Sequence, residues 1–378
     1  MKKIVLSALA VSALLLTSCV KDDGGSSSWN NEVNPENWNP AEAYTVDITL
    51  DPSVEYKLTG AVVMAEGTTL TIPAGTKITA TGKTSSYIAI STGAKINVQG
   101  TASNPVVMTS GESSPKAGDW GGLVICGDAP TNKGGSNGES AQAEVSGLVY
   151  GGTDVNDNSG SVRYLRVEYT GATFTNGKEF NGVSLFAVGA GTTFEYVQSH
   201  NGGDDGIEFF GGTVNGKYLI STNSGDDAID FADGWSGNGE NWFIKNGAKA
   251  GIEGSNNGDN GAATPMTNAT LKNISIVGGG SEGAIYLKEG SGKWNATNIF
   301  VDGYDLGIKT KSSDSHTIAR IDAGDIVINP IELSNVVKED EYLTGNMGTV
   351  TYYTKGTNTG AGNGASAPTW ASGWSVGL

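Results

Sequence analysis

A ten-residue phrase occurs twice in this chain, in two similar forms that stand 22 residues apart. It is NGGDDGIEFF at residues 201–210 and NSGDDAIDFA at residues 223–232. The apolar residue that follows Gly or Ala in this phrase recurs along the chain at intervals of 24, 22, 23, 33 and 23 residues. A period of this length is typical of a solenoid, in which each repeat is one structural unit stacked on the next. These anchor residues are Val183, Ile207, Ile229, Ile252, Ile285 and Ile308.

The residues around each anchor alternate between apolar and polar, as they do in a β-strand with one buried face. A second apolar strand precedes each anchor by about ten residues, and no helical period separates the two. Two or three short strands per repeat predict one coil of a parallel β-helix. We therefore predict an all-β chain, a right-handed parallel β-helix of about ten coils of 22–26 residues, over residues 46–378.

Three segments interrupt or end this regular pattern. The long interval contains residues 254–268, a Gly- and Asn-rich stretch that predicts an inserted loop. Asn201, Asn223 and Asn246 each stand six residues before an anchor, where Asn tolerates a left-handed bend and its side chains can bond from coil to coil. We expect the final stretch, with Trp370 and Trp374, to cover the last coil as a cap.

The N-terminus carries a targeting signal. Residues 1–18 have a short positive start, an apolar run and small residues before Cys19, as a secretory signal peptide does. The LTSC sequence resembles a bacterial lipobox, and the Lys21-Asp22-Asp23 that follows resembles the export signal of Bacteroidota surface lipoproteins. These resemblances imply a lipid on Cys19 that holds the protein in the outer membrane, facing the cell exterior. Residues 19–45, polar and rich in Gly, Ser and Pro, predict a flexible tether.

The formal net charge of −17 limits the choice of partner. A chain of this charge repels phosphate backbones, which excludes nucleic acid as a partner, and attracts cations. Cys126 lies in an apolar run and is predicted to be buried.

Three segments together carry a family resemblance. GDWGGLVICGDAPTN (residues 118–132), YGGTDVNDNSGSVRYLRVEYTG (150–171) and EYVQSHNGGDDGIEFFGGTVNGKYL (195–219) resemble, in this order, a family of Bacteroidota secreted and surface-lipoprotein parallel β-helices. Because the biochemical function of that family is unassigned, the resemblance implies a fold and a location and no catalytic residues.

Stacked coils would place acidic side chains in columns on the outer face. Glu208, Asp230 and Glu253 follow consecutive anchors and should lie about 4.8 Å apart. Such spacing is tolerable on a solvated face, whereas a sheltered face would require a cation, a shared proton or a raised pKa. The same stacking places Asp204 over Asp226 and Asp205 over Asp227.

Three functions compete for these acids. A polysaccharide hydrolase or lyase would use Asp205, Asp227, Glu208 and Asp230 as acid and base, although the GHG, NTD and RxK signatures of polygalacturonase-type β-helices are absent. A glycan-binding surface would use Glu208, Asp230 and Glu253 as acceptors beside an exposed Trp235, with Trp242 and Trp294 in the core.

Calcium is the third possibility, and the only cofactor that the sequence suggests. Asp154, Asn156 and Asn158 have the alternating spacing of a calcium loop, but Ser159 replaces the usual Gly and no Glu stands twelfth. An Asx turn without metal explains this stretch equally well. Asp204 and Asp226 form a second candidate calcium pair.

We predict a lipid-anchored, non-catalytic binding component at the cell surface that captures a glycan or nutrient beside an outer-membrane importer. The polysaccharide-degrading enzyme is one alternative, and an adhesin or envelope scaffold is another.

Overall fold

The structure, a computed structural model, describes residues 33–134, 140–175 and 177–378. The predicted signal peptide, Cys19 and the first part of the predicted tether lie outside these residues. No helix in the described part of the chain is long and apolar enough to span a membrane.

Short strands dominate the described chain. The first half contains β1 (Ile48–Thr49), β2 (Glu55–Leu58), β3 (Ala61–Met64), β4 (Thr69–Pro73), β5 (Lys77–Ala80), β6 (Tyr87–Ile90), β7 (Lys95–Gln99), β8 (Val106–Ser110), β9 (Leu123–Cys126), β10 (Ala141–Gln142), β11 (Val149–Tyr150), β12 (Gly160–Glu168) and β13 (Val183–Phe186). The second half contains β14 (Thr193–His200), β15 (Ile207–Phe210), β16 (Asn215–Ser224), β17 (Ile229–Ala232), β18 (Asn238–Gly247), β19 (Ala250–Ser255), β20 (Asn268–Val277), β21 (Gly283–Lys288), β22 (Lys293–Asp302), β23 (Leu306–Thr310), α1 (Ser315–Asp322), β24 (Ile326–Ser334), β25 (Lys338–Asp340), β26 (Tyr353–Lys355) and a 3-10 turn (Thr369–Ala371).

The strands form two long sheets. Sheet A follows the order β1-β4-β7-β12-β14-β16-β18-β20-β22-β24-β26. A branch of the same sheet follows the order β2-β5-β8 and joins it where β8 pairs with β12. Sheet B follows the order β3-β6-β9-β13-β15-β17-β19-β21-β23-β25. Every pairing within these sheets is parallel, while β10 and β11 form a small antiparallel hairpin. This arrangement confirms the predicted right-handed parallel β-helix.

The anchor residues form one continuous row inside the solenoid. Ile207 pairs with Ile229, Ile229 with Ile252, and the row continues through Ile285 to Ile308. Each of these side chains is at most 2 % exposed. At about 25 cal/mol per Å² of buried apolar area, this shared interior is the main stabilising contribution that stacking provides.

The predicted asparagine ladder is also present. Asn223 Nδ2 donates to Asn201 Oδ1 at 2.9 Å, and Asn246 Nδ2 donates to Asn223 Oδ1 at 3.0 Å. All three residues have a φ of 57–60°, the left-handed region that Asn adopts more readily than most residues. The ladder therefore satisfies side-chain amides at the turn where the backbone must bend.

A second column of left-handed residues lies within the long strands of sheet A. It begins as stacked tyrosines, with ring centroids 4.3 Å and 4.4 Å apart, and continues as an asparagine ladder with bonds of 3.1 Å and 2.8 Å. Because each residue has a φ of 52–60°, it bends its strand and divides it in two. The column consists of Tyr164, Tyr196, Tyr218, Asn241, Asn273 and Asn298.

The outer face of sheet A also carries a ladder of alternating charge. Arg163, Glu195, Lys217, Glu240 and Lys272 occupy equivalent positions in successive coils. Two of the four neighbouring pairs form ion pairs, with N–O distances of 3.1 Å and 3.6 Å. Opposite charges on adjacent strands stabilise that register, and like charges would oppose it.

The segment with Trp370 and Trp374 does not cover the last coil, so this part of the predicted cap is wrong, whereas β26, earlier in the C-terminal stretch, pairs with β24 at the end of sheet A. The segment with the two tryptophans runs back along sheet A, where Trp374 is fully buried against Tyr164 and Tyr196 at centroid distances of 5.9 Å and 6.0 Å. The stacked tyrosines present a ridge of aromatic surface, and the packing of Trp374 against it removes apolar area from water. Tyr342 and Tyr352 instead pack in the core near the last coil.

The folded part also begins before residue 46. Trp38 is only 1 % exposed, its backbone N–H donates to Lys57 O at 2.8 Å, and its indole donates to the Tyr44 hydroxyl at 3.1 Å. Residues 33–45 therefore add to the first coil, and the boundary predicted at residue 45 is too late. Polar composition hid this docking because the contact depends mainly on one aromatic side chain.

Candidate functional site

The predicted acidic column is present on the outer face of sheet B. Glu208 lies opposite Asp230 and Asp230 opposite Glu253, in unbroken parallel register. The column continues to Tyr286 and then Lys309, so its chemistry changes along the axis. The three acids are only 8 %, 8 % and 5 % exposed, which answers the question that the sequence left open. The face is sheltered.

A cleft of about 360 Å³ lies over this column. Segments far apart in the sequence form its walls: the β10–β11 hairpin, the region of Lys178, and the loop inserted after β19. That loop is anchored by Asn257, whose side-chain amide donates to Asn132 Oδ1 at 2.9 Å. The sequence predicted the loop but not its position over the acids.

Aromatic side chains line the cleft beside the acids. Phe186 and Phe210 stack with centroids 4.2 Å apart and planes 10° from parallel, and Tyr150 lies 4.9 Å from Phe186. Because Phe210 stands two residues after Glu208 on one strand, both side chains point to the same face of sheet B. The site thus combines carboxyl groups with a buried aromatic cluster, and among these three rings Phe210, at 7 %, is the most exposed to the cleft.

The carboxyl groups of the site differ in their partners. Asn181 Nδ2 donates to Glu208 Oε2 at 2.6 Å, and Lys288 Nζ donates to Glu253 Oε1 at 2.5 Å. Asp205 Oδ1 accepts a hydrogen bond from the Asp227 backbone N–H at 2.8 Å. Oδ1 of Asp230 is buried and has no hydrogen-bond partner among the described residues.

Burial shifts the ionisation of these acids. Desolvation, together with neighbouring carboxylates, raises the pKa of Asp205, Glu208 and Asp230 well above their usual range. The same causes raise the pKa of Asp227 to about 9 and that of Asp204 to about 7. The site therefore retains protons at neutral pH and can donate them in hydrogen bonds.

Lys288 and Asp233 mark the more polar side of the cleft. Burial alone would lower the pKa of Lys288, but the ion pair with Glu253 outweighs it and raises that pKa. Burial also raises the pKa of Glu253, and Lys288 opposes that rise. Desolvation raises the pKa of Asp233 to about 6, against the attraction of Lys133.

Three groups of carboxylates have oxygens close enough to share one cation. In each group the oxygens lie within 4.8 Å of one another, about twice a calcium–oxygen bond. One group contains the predicted pair Asp204 and Asp226, although Lys249 already forms an ion pair with Asp226. The groups are Asp204, Asp205 and Asp226; Asp205, Glu208 and Asp230; and Asp227, Asp230 and Glu253.

The candidate calcium loop at residues 154–158 is an Asx turn. Asp154 Oδ1 accepts a hydrogen bond from the Asn156 N–H, and Asn158 Oδ1 accepts one from the Gly160 N–H, both at 2.9 Å. Asp154, Asn156 and Asn158 are all exposed, so they do not converge on an enclosed site. Local hydrogen bonding explains this sequence without a metal.

Trp235 is not an exposed platform, and that prediction is wrong. Its side chain is fully buried against Phe209 and Phe231, with centroids 4.8 Å and 5.1 Å away. Its indole donates to the Val214 carbonyl at 3.1 Å, which satisfies the one polar group that burial would penalise. Trp242 and Trp294 lie in the core, as predicted.

Sequence reasoning missed several residues of the cleft. Asn181 stands two residues before its anchor, as Asp205 and Asp227 do, so column counting alone would have found it. The strand alternation that gave Glu208 also gives Phe210. Lys133, Glu144, Tyr150 and Lys178 lie outside the repeat or in its irregular parts, and no sequence signal points to them.

A family model matches most of the chain. The model, described as a pectate-lyase-like beta helix domain, covers residues 42–375. No curated protein and no solved structure gives a significant match. The matched range includes both sheets and every residue of the cleft. The chain belongs to the family of pectate-lyase-like β-helix domains.

Proposed function

We propose that the protein binds a glycan in the cleft over the acidic column. The observation that carries this proposal is that carboxyl groups and the aromatic side chain of Phe210 line one concave site together. Protonated carboxyls donate hydrogen bonds to sugar hydroxyls, ionised ones accept them, and aromatic rings pack against the apolar faces of sugars. A polysaccharide-related role also agrees with the family.

We further propose that this binding takes place at the cell surface. The lipobox resemblance around Cys19 supports a lipid anchor in the outer membrane, and an importer or other surface protein would then receive the captured glycan. The net charge of −17 weighs against nucleic acid. A rigid solenoid on such an anchor also suits an adhesin or envelope scaffold, which would not need the cleft.

A glycan array tests the binding proposal. We expect the purified protein to bind at least one carbohydrate class, and Glu208→Gln to weaken that binding at least fivefold, because the amide cannot reproduce the carboxyl at the centre of the site. Glu240→Gln on sheet A is the matched control, since it makes the same substitution on the other sheet. Equal binding by the two variants, or no binding by the wild type, would refute the proposal.

One observation favours cleavage of the glycan as a second candidate. Asp230 holds a proton, while Lys288 stabilises the ionised form of Glu253 on the adjacent strand, and one oxygen of each carboxyl group lies within 4.8 Å of the other. Retaining glycosidases use a close pair of carboxyl groups, whereas inverting ones keep them further apart to make room for a water molecule. Glu253 is therefore a better candidate nucleophile than the residues that the sequence suggested.

In this mechanism Asp230 gives its proton to the glycosidic oxygen as the bond to the anomeric carbon breaks. The Glu253 carboxylate bonds to that carbon, and water then displaces it while Asp230 takes a proton from the water. Incubation with a polysaccharide panel, followed by assay of new reducing ends and of unsaturated uronates, tests this candidate. We expect retained configuration and loss of activity in Asp230→Asn; inversion would refute the assigned roles.

Calcium binding at Asp204 and Asp226 stays a prediction. The proximity of Asp205 supports it, because a third carboxylate would add an oxygen ligand of the kind that calcium prefers. Repeating the glycan array with a chelator tests whether calcium contributes to binding.

A further inference from the structure

Among the described residues, the lysines that line the cleft all have ionic partners, whereas some of its acids do not. Its three lysines each contact a carboxylate: Lys133 with Asp259 at 2.9 Å, Lys178 with Glu144 at 2.5 Å, and Lys288 with Glu253 at 2.5 Å. No lysine of the lining, as far as the structure describes it, is therefore free to receive an anion. The acids outnumber these lysines two to one, and they are Glu144, Glu208, Asp230, Asp233, Glu253 and Glu289.

The surplus of acid is concentrated at Asp230. Its Oδ1 atom is buried without a hydrogen-bond partner, and its side chain is 8 % exposed at the cleft. Oxygens of Glu208 and Asp205 lie within 4.8 Å of an Asp230 oxygen. Lys288 attracts the Asp230 carboxylate, but it already forms an ion pair with Glu253. An unpartnered buried acceptor costs free energy, so a ligand that donates hydrogen bonds here gains more than it would at an exposed carboxylate.

We propose that the cleft selects glycans that carry a positively charged amino group, of the glucosamine type, and rejects polyuronates. This inference rests on the proposed function, namely that the cleft binds glycans. An ammonium group offers three N–H donors and one charge, which suits Asp230 with Glu208 and Asp205 around it. A uronate would have to bury its own negative charge here, with no free lysine in the described lining to balance it.

The same geometry implies that binding of the amino group releases protons. In the free protein, burial and mutual repulsion hold protons on Glu208 and Asp230, which line the cleft. A bound ammonium stabilises the ionised form, as any neighbouring opposite charge does, and so expels a proton to solvent. An N-acetylated sugar carries no charge and would release none.

Three oligosaccharides of equal length test the proposal: a glucosamine oligomer, its N-acetylated counterpart and an oligogalacturonate. Affinities are measured by titration calorimetry at pH 6.5 and 0.15 M salt, in two buffers of different ionisation heat. We expect the glucosamine oligomer to bind at least tenfold more tightly than the N-acetylated one and to release protons. We expect the oligogalacturonate to bind most weakly of the three.

Two variants separate recognition in the cleft from general attraction to an acidic protein. Asp230→Asn, which keeps the side-chain shape, should reduce the preference for the amine at least fivefold, whereas Glu240→Gln on sheet A should leave it unchanged. If Asp230→Asn does not fold, proton release by the wild type decides the question.

The outcomes distinguish this inference from the proposed function. Equal or tighter binding of the uronate or the N-acetylated oligomer, binding without proton release, or equal loss of preference in both variants would overturn the inference while glycan binding stands. Failure of all three oligomers and of the glycan array would overturn both.

Discussion

Asp233 offers a direct test of how strongly the cleft shelters its acids. Its side chain is 6 % exposed, and burial raises its pKa from about 3.8 to about 6. Between those pH values the folded protein holds one more proton than the unfolded chain, so its free energy of unfolding falls as pH rises. About 2 pKa units at about 1.4 kcal/mol each correspond to about 3 kcal/mol lost by pH 8.

Asp233→Asn removes this ionisation and should therefore stabilise the protein. The residue has a φ of 55°, which Asn adopts readily, so the change adds no backbone strain. We expect the variant to exceed the wild type by about 3 kcal/mol at pH 8 and by less than about 1 kcal/mol at pH 4. Urea unfolding of both proteins across this pH range measures the difference directly.

Asp259→Asn is the matched control. Asp259 is fully exposed and forms an ion pair with Lys133, which lowers its pKa. We expect no stabilisation from this change at any pH. If Asp233→Asn is no more stable than the wild type at pH 8, or if its advantage persists at pH 4, burial does not control the ionisation of this acid.

Three further predictions concern the solenoid itself. Asn223→Gly should lower the free energy of unfolding by about 1–2 kcal/mol, because two ladder hydrogen bonds are lost. Asn223→Ala should lower it by about 1 kcal/mol more, because Ala is strained at a left-handed φ. Equal losses of stability in thermal unfolding would contradict this strain. Ile229→Ala should cost about 2–5 kcal/mol by opening a cavity in the anchor row, while Val327→Ala at an exposed site should cost less than about 0.5 kcal/mol in the same assay. Cys126 is fully buried, and burial raises the pKa of its thiol to about 12, so a thiol reagent should label it only after denaturation; labelling of the native protein would refute its burial.

The parts of the fold that follow from the repeat were predictable. The anchor row, the asparagine ladder and the register of Glu208 with Asp230 all follow from counting residues, because equivalent positions in successive coils must stack. Alternation along a strand shows which face a side chain occupies. It cannot show what covers that face.

The burial of the acids was not predictable for this reason. The walls of the cleft come from the β10–β11 hairpin and the inserted loop, which lie outside the period, so no spacing rule places them. The burial of Trp235 was not predictable either. Its Gly-rich surroundings suggest an exposed loop, but the left-handed Gly234 lets the chain turn the indole into the core. Whether such a segment points inward depends on the volume left between coils, which the sequence does not state.

The alternating charges of sheet A constrain how the solenoid can change its length. Removing one coil would bring Arg163 beside Lys217, or Glu195 beside Glu240, and replace an attraction by a repulsion. Removing two consecutive coils would restore the alternation. Relatives of different length should therefore gain or lose coils of this region in pairs, and a misaligned intermediate would be disfavoured as the chain winds.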